Sequence, residues 1–449
     1  MSLYTALVAK GLFPLHERLK GHSTVSALRA MEKSQWLERE ALVELQAHRL
    51  REFLSRIGRD VPYFRQLFAE LAFDPATVKS TADLARLPLM GKAEIRANTD
   101  ALRADNAGPL EKFSTGGSTG EPLIFYRGKE RVSHDVAAKW RATRWWNVDI
   151  GDREIVLWGS PIELGSQDRV RLLRDKLIRS ELLSAFEMSN ANLLQFSQRI
   201  RRFRPRMLFG YPSSLALLAD YCMQNGYRVD NLGIRVVFVT SERLYEHQRQ
   251  TIEEAFGCPV ANGYGGRDAG FIAHQCPSGG MHITSEDIVV EIIDDNGAVL
   301  PTGQKGEIVV THMATGEFPF VRYRTGDVGC LSGSACDCGR GLPLLAEIEG
   351  RTTDFVRAAD GTVLHGLALI YVLREMPAVE EFKVIQESLT EVTVQWVTTG
   401  GDTAALEAEV TEQFRARLGE SLVVNFDYVS KIEREASGKF RYVISRISG

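Results

Sequence analysis

The chain has 449 residues, of which 44% are hydrophobic and 25% are charged, and its net charge at pH 7 is −4. This length exceeds what one hydrophobic core supports, so we expect two or more domains. The small net charge argues against bulk electrostatic binding to nucleic acid or to an anionic membrane. No apolar run is long enough to span a bilayer, no signal peptide is evident, and six cysteines are too few for a disulfide scaffold. The totals therefore predict a cytoplasmic protein.

The first 75 residues have a helical pattern. Apolar residues recur at helical spacing between Leu37 and Ile57, and the pattern ends near Val61-Pro62. We treat residues 1–75 as an N-terminal helical region.

A stretch rich in glycine and hydroxyl residues follows at 114–122, with the sequence Ser-Thr-Gly-Gly-Ser-Thr-Gly-Glu-Pro. Glycine lets a ligand come close to the backbone, and successive N–H groups can form an anion-binding nest. Taken alone, such a run is more often a flexible surface loop. It lacks the Gly-Lys-Ser/Thr ending of a P-loop, and a predicted strand follows it at residues 122–126.

From about residue 130 to residue 275, predicted strands alternate with predicted helices. Short apolar strands at 155–158, 207–210 and 236–240 alternate with helices at 193–203, 213–224 and 244–256. This alternation indicates a mainly parallel sheet, whose ligands bind at the carboxyl ends of the strands. Tyr211, Pro212 and Ser241 follow strand ends and are our candidates for binding a substrate.

The aromatic stretches Trp140–Trp146 and Trp158–Pro161 are weaker candidates for the same pocket, because aromatic residues on a helix are more often core. Arg141 and Arg144 could hold a carboxylate, but the safer expectation is that they face solvent.

The hydrophobic period changes near residue 285. Residues 288–293 and 306–311, separated by Asp294-Asp295-Asn296-Gly297, predict a β-hairpin within a β-rich subdomain. A joint is expected near Gly350, and the last hundred residues have their own strand–helix alternation. The predicted fold is α/β: a large N-terminal domain with mainly parallel sheets flanked by helices, the β-rich subdomain, and a small mobile α+β C-terminal domain. The predicted bounds are 1–75, 76–349 and 350–449.

Five motifs stand in one order along the chain: residues 114–122, 264–268 (Tyr-Gly-Gly-Arg-Asp), 323–327 (Tyr-Arg-Thr-Gly-Asp), 350–351 (Gly-Arg) and 437–439 (Ser-Gly-Lys). In this set the chain resembles the adenylate-forming (acyl-CoA synthetase) superfamily. Within it the chain most resembles the branch of phenylacetate–CoA ligase, coenzyme F390 synthetase and CapK. The resemblance extends from about residue 50 to residue 445.

The resemblance implies a role for each motif. Tyr264 and Gly265 would contact adenine, Asp327 would accept the ribose hydroxyls, and Arg351 would contact ribose or phosphate. Lys439 would reach the α-phosphate and the carboxylate as charge builds up there. The glycine-rich stretch would hold the phosphates of ATP through Ser114, Thr115, Gly116, Gly117, Ser118, Thr119 and Gly120.

Some positions depart from the commonest pattern of the superfamily. Arg267 and Asp268 stand where Thr-Glu is usual, although Asp268 can still meet Mg²⁺ and Arg267 can help with the phosphates. Thr353 takes the usual place of the hinge acid, and Glu121 takes that of a lysine after the last glycine of the loop.

Cys276, His282, Cys336 and Cys338 form a Cys-x5-His and a Cys-x-Cys pair, which suffice for a closed tetrahedral zinc site. Free buried cysteines are the alternative. This branch of the family carries a similar site, so the resemblance favours structural zinc. His274 and Cys330 are close enough in sequence to exchange roles with these ligands.

The resemblance implies an enzyme that uses ATP and Mg²⁺ to turn a carboxylic acid into an acyl-adenylate, releases pyrophosphate, and then transfers the acyl group to CoA. An alternative enzyme would pass the acyl group to an amine or a sugar, as CapK-like biosynthesis allows. A non-catalytic binding protein on the same scaffold is the third alternative. The sequence also leaves open a homodimer.

Overall fold

The computed structural model describes residues 2–114, 123–158, 169–185, 188–349, 355–360, 363–374, 376, 378–398, 403–430, 432 and 443–447. These residues form two compact units. The larger contains residues 2–114 and 124–349, and the smaller contains Leu123 and the described residues from 355 onward.

Helices make up the first hundred residues of the larger unit. The break between α4 and α5 falls at Val61, because Pro62 lacks an N–H and fits only the first turn of a new helix. The elements are α1 (Leu3–Leu7), a π-helical turn (Val8–Leu12), α2 (Phe13–Lys20), α3 (Thr24–Ser34), α4 (Arg39–Asp60), α5 (Pro62–Glu70), two 3-10 turns (Pro75–Thr77 and Thr81–Arg86) and α6 (Lys92–Ala97).

The centre of the larger unit is one sheet of eleven strands. Five neighbouring strands are parallel, as the alternation of strands and helices predicted: β4, β3, β5, β6 and β7, in that spatial order. They are β3 (Glu154–Trp158), β4 (Ser180–Ser184), β5 (Met207–Gly210), β6 (Val236–Thr240) and β7 (Val260–Gly266). Every residue of β6 is buried, which explains its unbroken apolar run.

Helices on both sides of these strands cover their faces. One hydrophobic core unites β3, β5 and β6 with three of the helices through residues such as Val237, Leu218 and Ile252. The helices are α7 (Lys129–Arg144), α8 (Arg169–Ile178), α9 (Asn190–Phe203), α10 (Pro212–Gln224) and α11 (Glu246–Phe256).

The predicted β-rich part continues the same sheet with antiparallel strands. The expected hairpin is confirmed: Ile288 pairs with His312, and the Asp294 carboxylate accepts N–H bonds from Asn296 and Ala298 in the turn. The strands are β8 (Gly270–Gln275), β9 (Met281–Ile283), β10 (Ile288–Ile293), β11 (Lys305–His312), β12 (Phe320–Ser332) and β13 (Leu344–Glu349). Separately, β1 (Glu111–Ser114) pairs antiparallel with β2 (Ile124–Arg127) on either side of the glycine-rich stretch.

The smaller unit is α+β. Its four-stranded sheet and two helices enclose a core around the fully buried Trp396. The buried Gln386 amide bonds both backbone groups of Arg357, which ties β14 to β16. The elements are β14 (Phe355–Arg357), β15 (Val363–His365), α12 (Leu367–Arg374), β16 (Val379–Ser388), β17 (Glu391–Thr398), α13 (Thr403–Leu418), β18 (Val423–Tyr428) and β19 (Val443–Ser445).

These two units confirm the predicted fold class. The predicted domain bounds stay a prediction. Within the described part of the chain, no helix combines the length and the apolar character needed to cross a membrane.

Candidate functional site

The carboxyl ends of β5, β6 and β7 bring predicted site residues to one edge of the sheet. These strands are parallel neighbours, so Tyr211, Ser241 and Tyr264 emerge on the same side. Tyr211 stacks on Trp158 at the end of β3, with ring centroids 4.2 Å apart. The backbone of Ser241 has φ 72°, a left-handed conformation that is uncommon for a residue with a side chain and is often found at functional sites.

Pro212 occupies the first turn of α10 beside Tyr211. The Glu242 carboxylate, next to Ser241, accepts the N–H of Ser213 at 3.1 Å and so caps this helix from the neighbouring strand end. Glu242 is among the strand-end residues of the sequence, but no role was predicted for it. Its position directly after a strand end was the available signal.

Two of the five motifs are joined by reciprocal hydrogen bonds. The Tyr264 hydroxyl donates to Asp327 Oδ2 at 2.9 Å. In the opposite direction, the Tyr323 hydroxyl donates to Asp268 Oδ2 at 2.6 Å. Each motif therefore supplies one tyrosine and one aspartate, and the residues at 264–268 and 323–327, which are far apart in sequence, form a single unit.

Asp268 is almost fully buried, with 8% of its surface exposed. Its second oxygen, Oδ1, accepts the N–H of Ala269 at 3.0 Å. A carboxylate has about four lone-pair positions, so two acceptor positions are left for a metal ion or its water ligands. Asp327 sits near the surface, and its N–H donates to the Thr325 hydroxyl at 3.1 Å.

A buried arginine lies beneath this unit. Arg131, in α7, donates from Nη1 to the Asp268 carbonyl at 3.1 Å and from Nη2 to the Arg267 carbonyl at 3.3 Å. Its Nε donates to both oxygens of Asp135, each at 3.0 Å. Arg131 thus connects α7 to the turn that carries Asp268. The sequence analysis did not single out Arg131, because a charge on a helix usually faces solvent.

The charged network continues behind Arg131. The His134 Nε2 lies 3.5 Å from Asp287 Oδ2, and the ring of His134 packs edge-on against that of His312. Burial opposes the charged form of His134, but the carboxylates of Asp135 and Asp287 outweigh it and raise its pKa to about 9. Burial, with Arg131 nearby, lowers the pKa of His312 to about 3.

Gly270 shows how tightly this network is enclosed. It has φ +84°, and a Cβ placed there would lie 2.8 Å from His312 Nε2 and 3.0 Å from the Arg131 Nη2. Only glycine allows β8 to begin at this point.

The four predicted zinc ligands converge as well. Their donor atoms all lie within 4.8 Å of one another. Cys276 Sγ and Cys336 Sγ are 3.5 Å apart, close to the roughly 3.8 Å between sulfurs on a tetrahedral zinc with bonds of about 2.3 Å. His282 Nδ1 donates to the Leu342 carbonyl at 3.1 Å, which leaves Nε2 unprotonated, 3.1 Å from Cys338 Sγ.

The surroundings of this cluster are tightly packed and bury Cys276 and His282. A Cβ on Gly280 would lie 2.6 Å from Cys336 Sγ, so glycine is required there. Burial lowers the pKa of His282 to about 4, and the ring is neutral at pH 7. Burial raises the pKa of Cys276 to about 12, which a bound cation would reverse. His274 and Cys330 do not belong to this group of four.

Two expectations for α7 are wrong. Arg141 does not face solvent: it is buried and pairs with Glu286 at 2.5 Å. Trp140 is not a pocket residue, because it packs in a core with Val8 and Phe13. Arg144 is mostly covered and pairs with Glu32 and Asp149. Helix α7 lies between the N-terminal helices and the sheet, so few of its side chains reach water.

The remaining predicted site residues fall outside the described residues, or their side chains do. They are Thr115, Gly116, Gly117, Ser118, Thr119, Gly120, Arg351 and Lys439, together with Glu121, Gly350 and Thr353 and the pocket candidates Gly159-Ser160-Pro161. Ser114 ends β1, where its backbone pairs with Ile124.

Comparison with known proteins places this geometry in a family. Residues 186–316 match the family described as AMP-binding enzyme, and residues 356–446 match the CapK C-terminal domain. Protein CapK of Staphylococcus aureus is 24% identical over 425 residues, which are 90% of each chain. These matches support the resemblance to the adenylate-forming superfamily. The resemblance to its phenylacetate–CoA ligase and CapK branch is confirmed, as is the prediction of an enzyme.

Other adenylate-forming relatives are ligases. A phenylacetate-coenzyme A ligase of Pseudomonas putida is 28% identical over 328 residues, 71% of this chain and 72% of that protein. The enzyme of the same name from Thermus thermophilus is 24% identical over 409 residues, 86% of this chain and 85% of that protein.

Solved structures show the same fold. A structure of 2-hydroxyisobutyryl-CoA ligase with 2-HIB-AMP and CoA, in the thioesterification state, aligns with a TM-score of 0.66 at 21% identity, over 92% of this chain and 91% of that chain. The same ligase in its postadenylation state with 2-HIB-AMP aligns with a TM-score of 0.62 at 21% identity, over the same shares of both chains.

Proposed function

We propose that the chain activates a carboxylic acid with ATP. The carboxylate attacks the α-phosphate, an acyl-adenylate forms, pyrophosphate leaves, and the acyl group then passes to the thiol of CoA. The observation that carries this proposal is the pair of bonds Tyr264–Asp327 and Asp268–Tyr323, which unites two nucleotide-binding motifs at the carboxyl edge of the sheet. No protein nucleophile is needed, because positioning and charge stabilisation carry such a step.

The proposed roles follow from these positions. Tyr264 presents a flat ring for adenine, with Gly265 next to it, and Asp327 accepts the ribose hydroxyls. Asp268 holds Mg²⁺ through the acceptor positions that Tyr323 and Ala269 leave open. Tyr211, Pro212 and Ser241 line the site of the acid.

The roles of residues outside the described ranges rest on the motifs. We propose that residues 114–120 hold the phosphates, with Arg267 supplying positive charge, and that Arg351 contacts the ribose. Lys439, within a small domain of residues 350–449, stabilises the transition state of adenylation. Lys439→Ala should abolish adenylate formation while the protein still folds, and full pyrophosphate release by that variant would contradict the assignment.

We also propose a structural zinc ion held by Cys276, His282, Cys336 and Cys338. Four protein donors close the coordination sphere, so this ion would not take part in the reaction. It would connect β9 to the loop between β12 and β13.

A second acceptor is favoured by a specific observation. Residues 356–446 match the CapK C-terminal domain, and the CapK relative matches 90% of the chain, against 86% for the Thermus thermophilus ligase. An amine or a sugar would then take the acyl group instead of CoA.

One experiment tests the activation step and the acceptor separately. Pyrophosphate release is measured with ATP and a panel of aryl, alkyl and hydroxy acids, with and without CoA, and thioester formation is followed in parallel. We expect acid-dependent pyrophosphate release and a CoA thioester. Pyrophosphate release without any thioester would favour the amine or sugar acceptor, and no release with any acid would contradict the proposal.

A further inference from the structure

The N-terminal helical segment has two different faces. Residues 3–20 form one continuous helical run: α1, the π-helical turn and α2. One side is buried against α3, α7 and the loop before β3, through residues including Val8 and Phe13. The Thr5 hydroxyl donates to Asp152 at 2.8 Å, and the Tyr4 hydroxyl donates to the Leu177 carbonyl at 2.8 Å. The segment is therefore held firmly to the larger unit.

The opposite side exposes five leucines, which we call the leucine face. Their exposed fractions are 93% for Leu3, 58% for Leu7, 39% for Leu12, 56% for Leu15 and 79% for Leu19. Single exposed leucines are ordinary, but five on one side of one segment mark a surface that binds something apolar.

The π-helical turn is what brings these leucines to one side. In a regular α-helix each residue advances by about 100°, so Leu12, Leu15 and Leu19 would turn away from Leu3 and Leu7. A π turn takes up roughly one more residue than an α turn. The turn at Val8–Leu12 therefore rotates the later leucines back by about 100°. Such insertions are rare and often mark functional segments.

Within residues 2–20, the exposed charges are all positive. Lys10, Arg18 and Lys20 are exposed. The one acidic residue between 2 and 20, Glu17, is 5% exposed and faces inward, where it accepts a bond from the Thr24 hydroxyl and lies 3.1 Å from His22 Nδ1. Exposed Leu177 and Lys176 of α8 continue the surface next to Tyr4.

We propose that the leucine face docks onto an anionic lipid bilayer, with the segment lying flat in the interface. An interfacial helix needs an exposed apolar face with cations beside it and no exposed acidic side chain. Residues 2–20 have these features. This attraction is local, and the small net charge of the whole chain does not oppose it. A second copy of the chain fits less well, because a two-fold pairing would place the three cations of each copy against those of its partner.

Vesicle flotation of the full chain tests this surface. The probes are vesicles of phosphatidylcholine alone and of equimolar phosphatidylcholine and phosphatidylglycerol. We expect binding to the anionic vesicles, at least about tenfold weaker binding to the neutral ones, and loss of most binding in about 1 M NaCl, where charges are screened.

Substitutions separate the leucines from the cations. Leu3→Gln with Leu19→Gln removes the two most exposed leucines and should weaken binding at least about tenfold without changing the thermal melt. Leu7→Gln with Leu15→Gln is a second, independent pair. Lys10→Gln with Lys20→Gln should weaken binding to anionic vesicles only. The matched control is Leu71→Gln with Leu389→Gln, which alters exposed leucines elsewhere and should bind as wild type does.

Three results would overturn the proposal. They are failure of the wild-type chain to float with anionic vesicles, equal binding by both leucine pairs and wild type, and a dimer that the leucine substitutions dissociate in a protein that binds no vesicles. The last result would assign the face to a second copy. All leucine variants should retain wild-type pyrophosphate release, so the outcome is independent of the proposed reaction.

Discussion

Among its described residues, the larger unit contains two groups of side chains whose donor atoms converge closely enough to hold a metal ion. The two groups differ in what already balances their charge. One is Cys276, His282, Cys336 and Cys338; the other is His134, Asp135 and His312. The charge of the second group is already balanced, because Arg131 pairs with Asp135 and the neighbouring carboxylates raise the pKa of His134 to about 9. The first group has soft donors and a histidine whose pKa burial lowers to about 4, and its neighbouring cation, Arg340, hydrogen-bonds to Cys338 from outside the four donors.

Convergence of ligand atoms is therefore not sufficient for a metal site. A divalent ion beside Arg131 would meet strong repulsion in a buried environment. We therefore assign a structural role to the His134 group, as the support for the turn that carries Asp268, and keep the proposed zinc ion for the cysteine group.

Removal of Arg131 should have the largest effect on stability. Arg131→Ala leaves the Asp135 carboxylate buried without its main partner and should lower the free energy of unfolding by about 3–5 kcal/mol, as measured by urea denaturation. The matched control is Arg65→Ala, which breaks an exposed pair with Asp105 and should cost at most about 1 kcal/mol. Equal effects of the two variants would show that the buried pair is not special.

The cysteine group should bind about one zinc per chain, as four donors on one ion require. Cys338→Ser should remove that zinc. With free zinc at a few hundred times the dissociation constant, the bound ion adds roughly 3 kcal/mol to the free energy of unfolding, and the variant should lose this stabilisation. Metal content by mass spectrometry and the melting temperature check this. Cys258→Ser, at a buried cysteine outside the group, should keep the zinc. Full zinc content in Cys338→Ser would contradict the assignment.

The His134 group predicts a pH dependence that the cysteine group does not share. The pKa of His134 is raised in the folded state to about 9 from an ordinary value near 6.5, so its contribution to stability is complete below pH 6.5 and disappears as the pH rises through 9. At pH 7 the free energy of unfolding of wild type should exceed that of His134→Gln by a few kcal/mol at most, and this difference should disappear by pH 10. A difference that stays constant over this range would mean that His134 is not charged.

The smallest effect should come from the bond between the two motifs. Tyr323→Phe removes only the hydroxyl that donates to Asp268, at a cost of about 1 kcal/mol in stability. Because Asp268 is proposed to hold Mg²⁺, the concentration of Mg²⁺ that gives half-maximal activity should change more than the maximal rate. Tyr428→Phe, which loses an exposed bond to Glu407, is the control and should leave both unchanged.

The fold was largely predictable from the sequence, because the alternation of β-branched runs with amphipathic stretches dictates a parallel sheet. The convergence of Cys276, His282, Cys336 and Cys338 was predictable for a different reason: the short spacing within each pair brings its two side chains together by a tight turn. The network around Arg131 was not predictable. Nothing local distinguishes Arg131 or Arg141 from a charge that faces solvent, and only the packing of α7 between the N-terminal helices and the sheet buries them.

The leucine face was not predictable from the sequence either. The segment of residues 3–19 has the composition of an ordinary core helix. The turn that aligns its leucines is a π insertion, which the sequence pattern does not predict. Reciprocal bonds such as Tyr264–Asp327 join residues more than sixty positions apart, so no local pattern predicts them.

We propose that the joined motifs bind ATP for adenylation. Acid-dependent pyrophosphate release by Asp327→Asn tests this proposal. The substitution preserves shape but removes the charge that would accept the ribose hydroxyls, while Asp295→Asn, in the exposed turn between β10 and β11, is the matched control. We predict a loss of about 100-fold or more for Asp327→Asn and wild-type activity for Asp295→Asn, with unchanged melting of both. Wild-type activity in a folded Asp327→Asn protein would contradict the claim.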